Sequence, residues 1–176
     1  MPWLTLVIFL PLVGIPVLGL WTRASDVQAR VAALVVALAT FLVALGVLGA
    51  FDPAVAGYQL VEQVDWVPSA GLSYLVGVDG FSIWLVVLTG FMTPVAIVSS
   101  WGVGHRVRLF MALTLLLETA ILGSFLALDL LLFFVFFEAL LVPMFLVIGV
   151  WGSARRVYAS VKFFLYTMAG SAFLLL

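Results

Sequence analysis

Six runs of apolar residues, at roughly 3–21, 31–50, 80–101, 109–127, 131–150 and 158–176, fill most of this chain and leave its charges to the stretches between them. About twenty apolar residues suffice for a helix to cross a bilayer. In lipid the backbone must satisfy its own polar groups, which a helix does within a single segment. The composition agrees: 66% of the residues are hydrophobic and 9% are charged, where a soluble domain carries about 25% charged residues. Such a chain cannot cover itself with polar surface, so its solvent is the lipid bilayer. The expected fold is all-α, a polytopic bundle of six transmembrane helices forming one domain over residues 1–176.

The charges also orient the chain. All seven Lys and Arg residues fall in alternate connections: Arg23 and Arg30, then Arg106 and Arg108, then Arg155, Arg156 and Lys162. The positive-inside rule places those connections in the cytoplasm and the N-terminus outside, in a bacterial cell membrane. The opposite side carries Asp52, Glu62, Asp65, Asp79 and Asp129. Its longest loop, 51–79, holds two β-prone stretches, Tyr58–Trp66 and Leu72–Val76, around a Pro- and Gly-containing turn. Two readings fit it, a hairpin and an irregular capping loop. No positive n-region or A-x-A site marks a cleaved signal peptide, so Trp3–Trp21 is expected to be a retained helix. The last apolar run stops at Leu176 with no interfacial anchor after it, as expected of the N-terminal part of a longer protein.

Several chemistries are excluded within the chain. It has no cysteine, hence no thiolate for an iron–sulfur cluster or zinc and no disulfide. One histidine, His105, cannot provide paired axial haem ligands. No glycine-rich phosphate loop is present. No cofactor is expected here, and no nucleic-acid partner.

What remains is carboxylate chemistry inside the membrane. Glu138 lies in the middle of the uncharged run Leu130–Trp151. An ionisable group there costs a few kcal/mol at least, and such groups mark ion or proton paths. Away from water the charged form needs a nearby cation, and moving that cation changes the proton affinity. That makes Glu138 the leading candidate for a proton carrier. Pro143 lacks an N–H and leaves the carbonyl of Ala139 without its helical partner, a helix break beside the acid. Glu118 is a second candidate proton site, with Thr119 as a hydrogen-bond partner. Both acids lie about 15 Å from the turn near Leu128 at ~1.5 Å per residue, hence at similar depth. The competing reading makes either glutamate a protonated, packed structural group. Lys162 is either a snorkelling interfacial cation or an inward-reaching site residue. His105 and the arginines read as interfacial and topological, Pro11, Pro16 and Pro94 as helix kinks, and Gly14, Gly19, Gly46, Gly49, Gly170 and Ser171 as packing positions.

The runs Gly77–Ser82, Leu126–Glu138 with its FFVFFE, Pro143-Met144, Trp151-Gly152 and Lys162–Thr167 resemble the antiporter-like membrane subunits of respiratory complex I. FFVFFE followed by LLVPM and WG is most like one particular subunit type of that family. The resemblance covers roughly residues 70–176. It implies part of a larger bundle with inverted repeats and broken helices. It also implies proton pumping driven by NADH oxidation and quinone reduction in other subunits. Flavin and iron–sulfur clusters would then belong to partner subunits of the membrane and peripheral arms. Glu138 takes the position of the family's key carboxylate, whose lysine partner would lie beyond Leu176. No quinone contact is assigned. An Mrp-type sodium/proton antiporter subunit, a hydrogen-evolving complex subunit and a structural scaffold are the alternatives.

Overall fold

The computed structural model describes residues 2–20, 25–67 and 72–174. Its elements are α1 (Trp3–Leu20), α2 (Asp26–Ala50), β1 (Gln59–Val67), β2 (Leu72–Val78), α3 (Ser82–Ser99), α4 (Val107–Leu126), α5 (Leu130–Trp151) and α6 (Arg156–Ala172). Five of them, α1 to α5, are long and apolar enough to cross a membrane, whereas α6 has 17 residues. Arg30, Arg108, Arg156 and Lys162, assigned above to connections, lie within the first turns of α2, α4 and α6. Trp21 and Arg23 fall outside the described residues, as does the expected turn at 68–71.

Helices α2 and α5 begin at side-chain caps, and an aspartate turn leads into α3. Ser25 and Gln28 form a reciprocal capping box at the start of α2. The Asp129 carboxylate accepts from the Leu132 N–H at 2.9 Å and starts α5. Asp79 accepts from the Ser82 N–H at 2.7 Å at the entry to α3. That amide, with the Ser82 hydroxyl after it, holds the Asp79 carboxyl below the usual range. Helices α1, α3 and α5 each continue through their prolines. The break expected at Pro143 is therefore one missing rung in a continuous helix, because the other turns keep their bonds.

The loop is a hairpin: β1 and β2 pair antiparallel. It is pinned to the bundle at the α1 start, where the Glu62 carboxylate accepts from the amides of Leu4 and Thr5 at 2.7 and 2.9 Å. A carboxylate on the first amides of a helix meets both unsatisfied donors and the positive end of the dipole. Thr5 also shares a 3.0 Å hydrogen bond with the Tyr74 hydroxyl, and burial pushes that phenol above its ordinary range. At the same end the Leu128 N–H donates to the Leu75 carbonyl at 2.9 Å. At the other end Arg30 donates to the Val103 carbonyl at 2.8 Å, and the Trp151 indole donates to the His105 carbonyl at 3.0 Å. The acidic and basic connections thus gather at opposite ends of the bundle.

Helix α4 is the hub, packing on α1, α2, α3 and α5, while α6 packs on α5. Close approach depends on small residues. Ala29, Ala33, Ala37 and Ala44 form a buried stripe on α2. Gly90 of α3 sits over the Phe41 backbone, and Gly123 of α4 lies flat against the Phe136 ring of α5.

Candidate proton-bearing site

Glu138 lies eight residues into α5, about 12 Å from its capped start at ~1.5 Å per residue. Glu118 lies eight residues before the end of α4. The Gly123–Phe136 contact sets the register of this antiparallel pair, so the two acids differ in height by about one helical turn. Similar depth does not bring them together, for each is turned to a different neighbour.

Glu138 is half-buried and faces α6, where the Ser171 hydroxyl donates to Oε1. Ser171 is itself buried, and the same hydroxyl lies 3.1 Å from the Met168 carbonyl. A hydroxyl has one proton and two lone pairs, so it can serve only one of these acceptors fully. Ser171 was read from sequence as a packing residue. Its role as partner shows only when α6 folds back on α5, since 33 residues separate it from Glu138.

Glu118 is 1% exposed and faces α3, and neither carboxyl oxygen has a hydrogen-bond partner. Thr119, expected to be that partner, is buried with its own hydroxyl unpaired. Neighbours in a helix point about 100° apart, so adjacency in sequence does not bring the two side chains together. Thr89, Thr93 and Thr114 line the groove beside Glu118 instead.

Lys162 is exposed on α6 between Tyr158 and Tyr166, its ammonium 5.8 and 5.6 Å from their ring centres. Nine residues separate it from Ser171, about 13.5 Å along the helix at ~1.5 Å each, so it is not brought to Glu138. His105 stacks on Trp151 at 5.8 Å and ties the α3–α4 connection to the end of α5. Arg156 donates to the Val150 carbonyl at 2.9 Å. Among the described residues no group of acids and histidines could hold a metal.

Comparison with known proteins adds the family. A family model described as NADH:quinone oxidoreductase/Mrp antiporter, TM, matches residues 127–176, which include Glu138, Pro143, Lys162 and Ser171. The NADH-quinone oxidoreductase subunit M of Rhodobacter capsulatus is 48% identical over 176 residues, covering 98% of this chain and 34% of that protein. The chain belongs to the NADH:quinone oxidoreductase/Mrp antiporter membrane-subunit family. A chain of respiratory complex I from Thermus thermophilus with bound NADH superposes with a TM-score of 0.79 at 30% identity, over 96% of this chain and 33% of that one. The same fold recurs at 17% identity and a TM-score of 0.75 in an archaeal membrane-bound sulfane sulfur reductase, over 98% of this chain and 26% of that one. The chain thus spans about a third of the length of the subunit M relative. Subunit M is the particular subunit type that the FFVFFE–LLVPM–WG run resembles.

Proposed function

We propose that this chain is part of a proton-translocating membrane subunit of NADH:quinone oxidoreductase, with Glu138 as its proton carrier. The observation that carries the reading is a mid-membrane carboxyl whose partner hydroxyl has a second acceptor. With Glu138 charged, the Ser171 O–H points to the carboxylate. With Glu138 protonated, the acid donates to the Ser171 oxygen and the hydroxyl proton turns to the Met168 carbonyl. Each proton gained or lost at Glu138 thereby rearranges a hydrogen bond in the last turn of α6. That links a charge change in α5 to the backbone of its neighbour, which a coupled carrier requires. The half-buried setting leaves Glu138 accessible to a cation from the remainder of the protein, which would hold or release its charge.

Flavin, iron–sulfur clusters and the quinone reaction then belong to other subunits, and the partners are those membrane and peripheral subunits, the lipid bilayer and protons. The basic end of the bundle faces the cytoplasm and the hairpin end the outside, with the N-terminus outside, because the Lys and Arg among the described residues lie toward one end. A cysteine at position 106 that labels only from outside would reverse this assignment. Residues 1–176 act as one transmembrane unit.

The test is Glu138→Gln in the full-length, assembled complex, reading NADH:quinone oxidation together with acidification of inverted vesicles. Both are expected to collapse while assembly stays normal. If both persist, Glu138 is a packed structural acid and the proposal fails. The family description also names Mrp antiporters. Sodium-dependent transport without quinone-linked oxidation would move the assignment to that branch.

A further inference from the structure

Glu138 has a donor beside it. The other intramembrane acid is placed in the opposite chemical setting. Its side chain enters a groove of about 390 Å³ between α3 and α4, lined by Leu88, Thr89, Met92, Thr93, Thr114 and Phe125 among others. The only polar side chains there besides Glu118 are threonines, and each has its hydroxyl proton committed. Thr89 donates to the Leu85 carbonyl at 2.7 Å, Thr93 to the Thr89 carbonyl at 3.0 Å, and Thr114 to the Phe110 carbonyl at 2.9 Å. A hydroxyl engaged in this way offers lone pairs and no hydrogen. While those bonds hold, the groove presents acceptors to the carboxyl; Thr93 can turn its hydroxyl to Glu118 only by giving up the Thr89 carbonyl.

Among the described residues no cation stands beside the carboxyl, since Arg108 of α4 lies ten residues away, about 15 Å along the helix at ~1.5 Å each. Helices α1, α3 and α5 contain no Lys, Arg or His, and their sole ionisable side chain of acid or base type is Glu138. Helix α2 contributes Asp26 and Arg30 in its first turns, and Arg30 is tied to the Val103 carbonyl at the basic end. A carboxylate in this site would be an unpaired buried charge, the costliest polar group an interior can hold. A carboxylic acid fits instead, because its O–H can be received by a threonine oxygen or by water. The carboxyl oxygens are covered, and the open groove beside them has room for water to reach them when a lining side chain turns aside.

We infer that Glu118 is a second proton-binding site, separate from Glu138, which rests as a carboxylic acid and exchanges its proton through the α3–α4 groove. Its ligand is a proton delivered by water. Glu118 faces α3 while Glu138 faces α6, so the two acids load from opposite sides of the α4–α5 pair. The inference does not depend on Glu138 carrying protons.

The experiment is an infrared difference spectrum of the full-length assembled complex, unsubstituted minus Glu118→Gln, recorded in H2O and in D2O. The expected result is a carboxylic-acid C=O band that is lost in the Gln variant and moves to lower frequency in D2O. Carboxylate bands in its place would overturn the inference by showing a charged Glu118. An acid band that ignores D2O would overturn it by showing a sealed structural acid. Glu138→Gln is the control: loss of pumping there, or its persistence, leaves the Glu118 band unchanged. If Glu118→Gln does not assemble, the unsubstituted complex is treated with dicyclohexylcarbodiimide, a lipid-soluble reagent for protonated carboxyls. The carboxyl O–H adds across the N=C bond and the acyl group then shifts from oxygen to nitrogen, with no leaving group. Mass mapping of the N-acylurea to Glu118 supports the inference, and an unmodified Glu118 peptide overturns it.

Discussion

The two faces of the α4–α5 pair hold the same residue type at nearly the same depth in opposite chemical settings. On the α6 side, Glu138 is half-buried and accepts from a serine hydroxyl. On the α3 side, Glu118 is fully buried among threonine oxygens whose protons are already placed. The first environment offers a donor to a negative charge, whereas the second mainly offers oxygens that accept. Burial alone would rank Glu118 as the more unusual acid. The direction of the surrounding hydrogen bonds distinguishes the tasks, because a donor favours the carboxylate and an acceptor favours the acid.

The largest disturbance to that contrast should come from the contact that sets the register of the pair. A Cβ at Gly123 would overlap the Phe136 ring, which is buried and also meets Phe9 at 6.3 Å between ring centres. Gly123→Ala is expected to cost about 1–3 kcal/mol through overpacking, read as a lower inactivation midpoint of the solubilised complex. Adding Phe136→Leu should recover part of that loss, as coupled neighbours do. If the single variant leaves the midpoint unchanged, the close approach does not hold the pair.

Ser171→Ala should separate the two faces. It removes the donor to Glu138 and is expected to slow proton translocation roughly tenfold, equivalent to about 1.4 kcal/mol. The Glu118 infrared band should stay in place. A shift of that band would mean that the two acids communicate, and the contrast between them would fail.

Glu62→Gln probes a third carboxylate, one that works as a cap. It keeps one of the two acceptor oxygens, turns an NH2 onto the other amide and loses the charge at the start of α1, so the expected cost is about 1 kcal/mol, seen as faster amide exchange at Leu4 and Thr5. Neither intramembrane acid should respond.

The smallest effect concerns Asp79, whose carboxyl is held below its ordinary range by the Ser82 amide and hydroxyl. A lowered folded value contributes stability above the unfolded value of about 3.9, which is lost as pH falls from there through the folded value. Protection of the Phe81 and Ser82 amides, taken relative to their intrinsic exchange rates, should therefore fall below about pH 4, and Asp79→Asn should remove that loss. Protection that stays constant with pH would show that the carboxyl does not hold this turn.

Most of the helical architecture was readable in the chain. The expected run 131–150 became Leu130–Trp151 and 109–127 became Val107–Leu126, because long apolar runs between charged connections leave lipid few alternatives. The loop 51–79 was ambiguous, since two short β-prone stretches do not report whether they pair. Pairing came with anchoring: Glu62 on α1 and Leu75 on Leu128 hold the hairpin against the bundle. The candidate site was half readable. An acid inside an apolar run identifies itself, so Glu138 and Glu118 were found. Their surroundings were not, because Ser171 beside Glu138 and the groove threonines beside Glu118 are common small polar residues in helices and carry no signal until packing brings them close.

Sequence by itself determined that this chain belongs to a membrane, where its long apolar helices run, which end of the bundle is basic, and that two carboxyls lie near the middle of their helices. Those properties follow from composition and from the ~1.5 Å rise of a helix, both local to each segment. Only the tertiary structure decided which way each carboxyl faces and whether a donor or an acceptor meets it. That depends on how helices distant in sequence rotate and approach, and here the register rests on Gly123 lying against Phe136, a contact that neither residue announces alone.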